Sequence, residues 1–538
     1  IMSMKTGSGN LVDMESLKAL VSPSGPKITI EKVAKEERIL IPNKEKISEK
    51  KKRGSSLRQV GISLLANLGT INTGMTFGFP AIAIPQMEDV SSTLLIDKVQ
   101  ASWIASLSAV TTPIGCILSG YLMDAIGRKK ILIVTQLPTL AGWLLIASAN
   151  SVGMLYAGRL LVGLGSGMVA APARVYTAEA TQPHLRGMLA AVASVGVSLG
   201  VLAEYFLGAL FNWPVVALLS SLVPALALLG ACLIPESPSW LMSAGREEES
   251  LQSLKKLRGR NCDIQGEVDK LAEFAKTHNV QKPTTVKDTI RALTRPSAIK
   301  PFFIIVLYFL IYQFSGVNPI TFYAVQVFQE SGATMDKYLA TVIMGVVRLV
   351  FTVLACILMR RCGRRPLTFI SSIGCGISMV VLGTYMFFRL AWISEGEVPK
   401  VTWLPVASMM VFTAASVIGY LVVPWVMIGE VYPTQVRGII GGMTTCCAHF
   451  FIFLVVKTFP ILQDILSAHG TFWLYGGISL AGTLFFYYFL PETKGRTLQE
   501  IEDYFSGRIK TLSKPKPSTT MMNNVPTVIE VQKGNALP

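Results

Sequence analysis

Twelve runs of about 20 mainly apolar residues punctuate this chain, and each is long enough to cross a bilayer as a helix. They lie at roughly 60–82, 100–122, 131–149, 152–174, 188–208, 214–234, 301–324, 337–359, 367–388, 402–428, 439–462 and 470–490. Lipid offers no partners to backbone N–H and C=O groups, so such runs must satisfy them internally, as helices do. Charged residues make up only 15% of the 538, against about 25% in an average soluble protein. The expected class is an all-α membrane protein.

The net charge of +16 would suit a nucleic-acid binder, but its distribution argues otherwise. Cations gather in alternate loops, at Arg128-Lys129-Lys130, Arg186, 236–299, Arg360-Arg361, Arg364-Arg365 and Arg437. The intervening loops carry Glu88, Asp89, Asp97, Glu330, Asp336, Glu395, Glu397 and Asp464. Lys/Arg-rich loops face the cytosol, so both termini are expected there, as twelve spans also require. The expected partners are therefore the lipid bilayer and a small solute, with no nucleic acid. The eight cysteines fall mostly within spans or on the expected cytosolic side, and with no histidine cluster beside them neither a disulfide framework nor a metal site is expected.

Three short patterns occur twice. Glu179 precedes Arg186-Gly187 by the same interval that separates Glu430 from Arg437-Gly438. A Pro-Glu-hydroxyl triplet follows each copy, Pro235-Glu236-Ser237 and then Pro491-Glu492-Thr493. A third element joins Asp124, Gly127 and Arg128 after the second span and recurs as Arg360, Gly363 and Arg364 after the eighth, with Arg360 in place of the acid. Internal repeats of this kind mark secondary transporters built from related halves. The expected divisions are an N-terminal tail at 1–57, a first bundle at 58–235, a polar loop with short helices at 236–299, a second bundle at 300–492 and a tail at 493–538. The first tail, and the chain from 509 onward, are expected to be disordered. Matched acids and guanidiniums at helix ends form a latch when they meet in a dry setting and are worth little once separated in water.

These motifs, with Gly158-Arg159, Pro238, Gln313-Phe314-Ser315-Gly316-Val317-Asn318, Pro424-Trp425 and Lys494-Gly495-Arg496-Thr497, resemble the sugar porter (glucose transporter) family of the major facilitator superfamily. Local texture such as Lys457-Thr458-Phe459 is most similar to insect facilitated trehalose transporter-like proteins. The resemblance implies two six-helix bundles around a midplane sugar site, worked by alternating access. It pairs Glu236 with Arg437 and Glu492 with Arg186, and completes a cytosolic gate with Asp124, Arg128, Glu179, Arg364 and Glu430.

It also implies that Gln313 and Asn318 contact sugar, that Trp425 stacks on it and that Tyr323 closes the outer side. A hydroxylated, uncharged substrate needs paired donors and acceptors, which amides supply. Either amide could instead bond a neighbouring helix. Several positions depart from the family pattern: Ser194 stands where a glutamine is common, Tyr312 replaces the first of two paired glutamines, and Ala448 replaces an asparagine. Arg348 also replaces an asparagine, near the middle of its span. An intramembrane arginine is a candidate substrate contact by default, although capping by carbonyls or pairing with Glu204 would also accommodate it.

Proton-coupled relatives have an aspartate where this chain has Thr76, and Glu204 is read as close to a helix end, so facilitated diffusion is expected. No nucleotide-binding motif, catalytic acid pair or nucleophile-base motif is present, so neither an enzyme nor a cofactor is expected. The reading is a plasma-membrane facilitative transporter of trehalose or a hexose. Its alternatives are another polyol or an organic anion on the same fold, or a non-transporting sugar sensor.

Overall fold

The computed structural model describes residues 55–509 apart from 90, 91, 93, 190, 260–263, 270, 273–285, 434, 435 and 497. The tails expected at 1–57 and 493–538 therefore lie largely outside the described residues. No strand occurs among them. The helices are α1 (Ser56–Met87), α2 (Lys98–Ile126), α3 (Arg128–Ala147), α4 (Val152–Ala180), α5 (Val192–Leu210) and α6 (Trp213–Leu233) in the first half. The second half has α7 (Pro296–Phe314), α8 (Lys337–Arg361), α9 (Arg364–Ser394) and α10 (Leu404–Val431). A 53-residue helix, Arg437–Phe489, follows, broken at Ser467 where φ is +60°. The parts before and after that break are α11 and α12.

Ten described helices are long and apolar enough to cross a membrane. Dividing the last one at Ser467 and adding α1 accommodates the twelve expected spans. α1 reads as less apolar because its inner face is polar: Asn67, Thr70, Asn72 and Thr76 are all buried. Local signals set the helix starts. Asp97 and Gln100 form a reciprocal capping box on α2, and Asp336 caps α8 by accepting from the N–H groups of Tyr338 and Leu339. Of the short helices expected within 236–299, one is Glu247–Arg258, with acids in its first turn and bases in its last. Residues 265–269 of that loop are also helical.

α7 departs from the single span expected at 301–324. It stops at Phe314 because Gly316 adopts φ +91°, and the chain resumes helically as Val317–Phe322 and then Ala324–Ser331. Irregular backbone at membrane depth is tolerated where protein buries it or where it lines a cavity. Here every residue from Val317 to Phe322 is buried.

The two halves meet along α2 with α11 and along α5 with α8. At the end with the acidic loops, the Lys457 ammonium donates to Ser102 Oγ at 2.7 Å and lies 3.9 Å from the Trp103 ring. Asp464 pairs with Lys98 there at 3.6 Å. In the middle, Tyr205 donates to the carbonyl of Thr321 at 2.7 Å, and Ser198 bonds Thr352 at 2.8 Å. At the end with the basic loops, no hydrogen bond or ion pair between described residues joins the halves.

Candidate functional site

The break in α7 brings the two predicted amides together. Gln313 is fully buried and Asn318 nearly so. Asn318 Nδ2 donates to Gln313 Oε1, which leaves Gln313 Nε2 without a partner. A buried amide donor left unpaired costs about 1–3 kcal/mol. Phe309, one turn before Gln313, packs edge-on against Trp425 with ring centroids 4.9 Å apart. Trp425 is half-buried. Tyr323 is buried, bonds the carbonyl of Val456 at 3.4 Å and stacks on Phe459 at 5.1 Å. Ser194 is half-buried near the start of α5, one turn before the Ser198 bridge to α8.

Arg348 makes neither of the accommodations considered from sequence. Its Nη1 donates to Thr321 Oγ1 at 3.1 Å, and its Nε has no partner. Glu204 pairs elsewhere, accepting from Ser220 Oγ at 3.0 Å. The cavity beside Arg348 is only about 10 Å³, walled by Tyr205, Thr321, Met344 and Ser416 among others. In this state it admits a water-sized particle.

Glu204 lies six residues before the end of α5. It is fully buried, and its Oε1 has no partner. Thr76, at the position of the proton-carrying aspartate, bonds the carbonyl of Asn72, and its own carbonyl accepts from Arg159. Arg159 also donates to Ile104 O, Ala105 O and Ser108 Oγ, so carbonyls and a hydroxyl satisfy it.

At the basic end, each half has the same network. Arg128 holds Glu179 through Nε and Nη2, both at 3.1 Å, and pairs with Asp124 at 3.2 Å. Arg364 holds Glu430 in the same bidentate way, with Nε at 3.2 Å and Nη2 at 2.5 Å. The side chain of Arg360, counterpart of Asp124, lies outside the described residues. The pairs that the resemblance implied, Glu236 with Arg437 and Glu492 with Arg186, are not made. Glu236 instead accepts from the N–H groups of Arg128, Lys129 and Ser237 at 2.8–2.9 Å. Glu492 accepts from those of Arg364 and Arg365 at 3.0 and 3.1 Å. The physical reason is that α3 and α9 begin at these residues, and free N–H groups with the helix dipole make a helix start an anion site. Arg437 turns back to the carbonyl of Tyr432, and Arg186 is exposed.

The hydroxyls of the Pro-Glu-hydroxyl triplets have a task of their own. Ser237 Oγ donates to Glu179, and Thr493 Oγ1 donates to Glu430 at 2.6 Å. Each ties one repeated motif to the other, and their recurrence in both copies was the available signal. Arg174 was missed entirely. It lies on α4, and its guanidinium sits 5.5 Å from the Trp425 ring of the other half.

A family model described as sugar (and other) transporter matches residues 42–505. The facilitated trehalose transporter Tret1 of Polypedilum vanderplanki is 32% identical over 456 residues, covering 85% of this chain and 89% of the relative. Tret1 of Apis mellifera ligustica is 33% identical over 467 residues, covering 86% and 92%. Among solved structures, the major facilitator proton:xylose symporter XylE bound to 6-bromo-6-deoxy-D-glucose superposes with a TM-score of 0.67 at 25% identity, covering 84% of this chain and 99% of that one. The fold is thus that of the major facilitator superfamily, two six-helix bundles, and the chain belongs to the sugar transporter family.

Proposed function

We propose that this chain is a facilitative carrier that moves trehalose or a hexose by alternating access, from a site built on Gln313, Asn318 and Trp425. The observation that carries this reading is the paired amide at the break in α7. It leaves one amide donor unpaired, one turn from the aromatic pair Phe309–Trp425. Ser194 borders the site from α5, Tyr323 covers its outer side, and Arg348 lies on the α8 wall. The curated relatives named for facilitated trehalose transport support the choice of sugar.

In this reading the basic end faces the cytosol of a plasma-membrane, multi-pass carrier with both termini inside. The halves are joined at the outer end and parted at the cytosolic end. Asp124, Arg128, Glu179, Glu236, Arg364, Glu430 and Glu492 are the cytosolic gate, folded back within each half. Arg186 and Arg437 are the residues positioned to meet the opposite half when that end closes. A pair present in one state only supplies the differential contact that a conformational equilibrium needs.

Uptake of radiolabelled trehalose and glucose into proteoliposomes, without a proton gradient, tests the assignment. Saturable flux of at least one is expected; the absence of saturable flux of both overturns it.

A further inference from the structure

The division between the halves holds cations that no ion pair between described residues neutralises. Arg174 projects from α4 onto Trp425 of α10, with its guanidinium 5.5 Å from the ring centroid. Because Trp425 belongs to the opposite half, the side chain lies between the halves and not against lipid. Arg174 is nonetheless exposed, and Trp425 is half-buried beside it. Trp425 packs in turn on Phe309 of α7 and His449 of α11, which fixes its ring at the meeting of three helices.

Two further cations line the same division. Arg348 is buried with one hydrogen bond to a hydroxyl and an unpaired Nε, and Lys457 is held by Ser102 and Trp103 alone. Among the described residues no ion pair neutralises Arg174, Arg348 or Lys457. The buried acid of the first half, Glu204, faces Gly78 and Ser220 instead. Ionisable groups inside a membrane face a cavity or a partner and mark the path of what is carried. An exposed cation with no acid paired to it attracts solutes of the opposite sign.

We infer that the preferred substrate is an anionic sugar, one bearing a carboxylate or a phosphate, whose ring stacks on Trp425 while its charged group meets Arg174. The inference rests on the sugar-site reading above and narrows it. Guanidinium is suited to either anion, since its planar fork matches both geometries. The amides Gln313 and Asn318 read the neutral hydroxyls, and Arg174 reads the charge. A neutral hexose leaves that guanidinium without its counter-ion and binds more weakly.

Calorimetric titration of the purified full chain in nanodiscs with glucuronate, glucose 6-phosphate, glucose and trehalose tests this. At low salt, at least one of the two anionic sugars binds about tenfold or more tighter than glucose, as a charge-assisted hydrogen bond provides. Which of the two is favoured separates carboxylate from phosphate. The preference declines with added salt, collapses toward equal affinity in R174Q and persists in R174K, which keeps the charge. Glucose or trehalose binding as tightly as both anionic sugars overturns the inference and leaves the sugar-site reading standing. Preference retained in R174Q overturns the assignment to Arg174. If R174Q does not fold, the salt dependence in the unaltered chain and the R174K result decide. Absence of binding by all four sugars removes the sugar-site reading and this inference with it.

Discussion

Gly127 and the carboxylate of Glu236 are packed so closely that a Cβ on residue 127 would lie 2.4 Å from Oε2. Gly127 also has φ +100°, which residues with a side chain rarely adopt. The second half repeats the contact with one difference. A Cβ on Gly363 would lie 2.1 Å from Glu492 Oε2, but Gly363 has φ −73°, ordinary for any residue. Close approach is therefore common to both copies, and backbone strain belongs to one.

That difference gives a prediction for G127A and G363A. Both displace a carboxylate from its N–H donors and lower the unfolding temperature. G127A adds the strain of an unfavourable backbone, on the order of 1–3 kcal/mol. Removing the carboxylate relieves G363A in a G363A/E492A double variant, while G127A/E236A keeps most of its penalty. Thermal unfolding of the four variants in detergent checks this; equal relief in both pairs contradicts it.

Gln313 and Asn318 act as one unit, since the second orients the first. Q313A is expected to raise the KM for sugar by about tenfold, the effect of losing a donor to a buried oxygen. N318A approaches the same loss, and the double variant falls well short of the product of the two. Transport rates normalised to surface expression are the readout, and multiplicative losses argue against a shared amide pair.

The Lys457 ammonium over Trp103 is a contact between halves at the outer end only. Such a contact is worth roughly 0.5–2 kcal/mol, so K457M and W103A each shift the population toward the outer-open state by a few-fold. Labelling of a cysteine placed at the outer mouth measures it. Unchanged labelling in both variants contradicts an outer latch at this pair.

Burial also pushes the carboxyls of Glu330 and Glu88 above the usual carboxylate value, opposed for Glu330 chiefly by its bond from Gln463 and for Glu88 by Lys98. Both lie at the end with the acidic loops, the outer mouth in the reading proposed above. When that mouth opens they meet water and return to their ordinary value. Below that ordinary value both are neutral in either state, and pH has no leverage. As pH rises from there through the raised values, the open state ionises first, so outer accessibility increases and then levels off. The E88Q/E330Q double variant shows a flat profile across this window; a profile like that of the unaltered chain contradicts the assignment.

Much of the fold is legible in the sequence, because a spanning helix needs only length and apolarity, and both are local. The paired motifs are legible for a related reason: Arg128–Glu179 and Arg364–Glu430 lie at helix ends in polar gaps, where charges stand out against lipid-facing runs. The partners of Glu236 and Glu492 were not legible. Backbone N–H groups at the starts of α3 and α9 compete with any side chain, and a sequence records no free N–H. The break of α7 was half legible, since Gly316 loosens a helix but does not say that Asn318 turns back to Gln313. Arg174 escaped because nothing along α4 marks which residue faces Trp425, a contact made by tertiary packing alone. The burial of Glu204 between α1 and α6 was not legible for the same reason: distance from a helix end says little about what packs on a side chain.

The most direct test of the central claim is counterflow. Proteoliposomes preloaded with unlabelled trehalose or glucose are diluted into a trace of the labelled sugar, with and without a protonophore. An alternating-access facilitator predicts a transient accumulation of label above its equilibrium level, for at least one of the two sugars, unchanged by the protonophore and by E204Q. No overshoot with either sugar, or an overshoot that the protonophore abolishes, contradicts it.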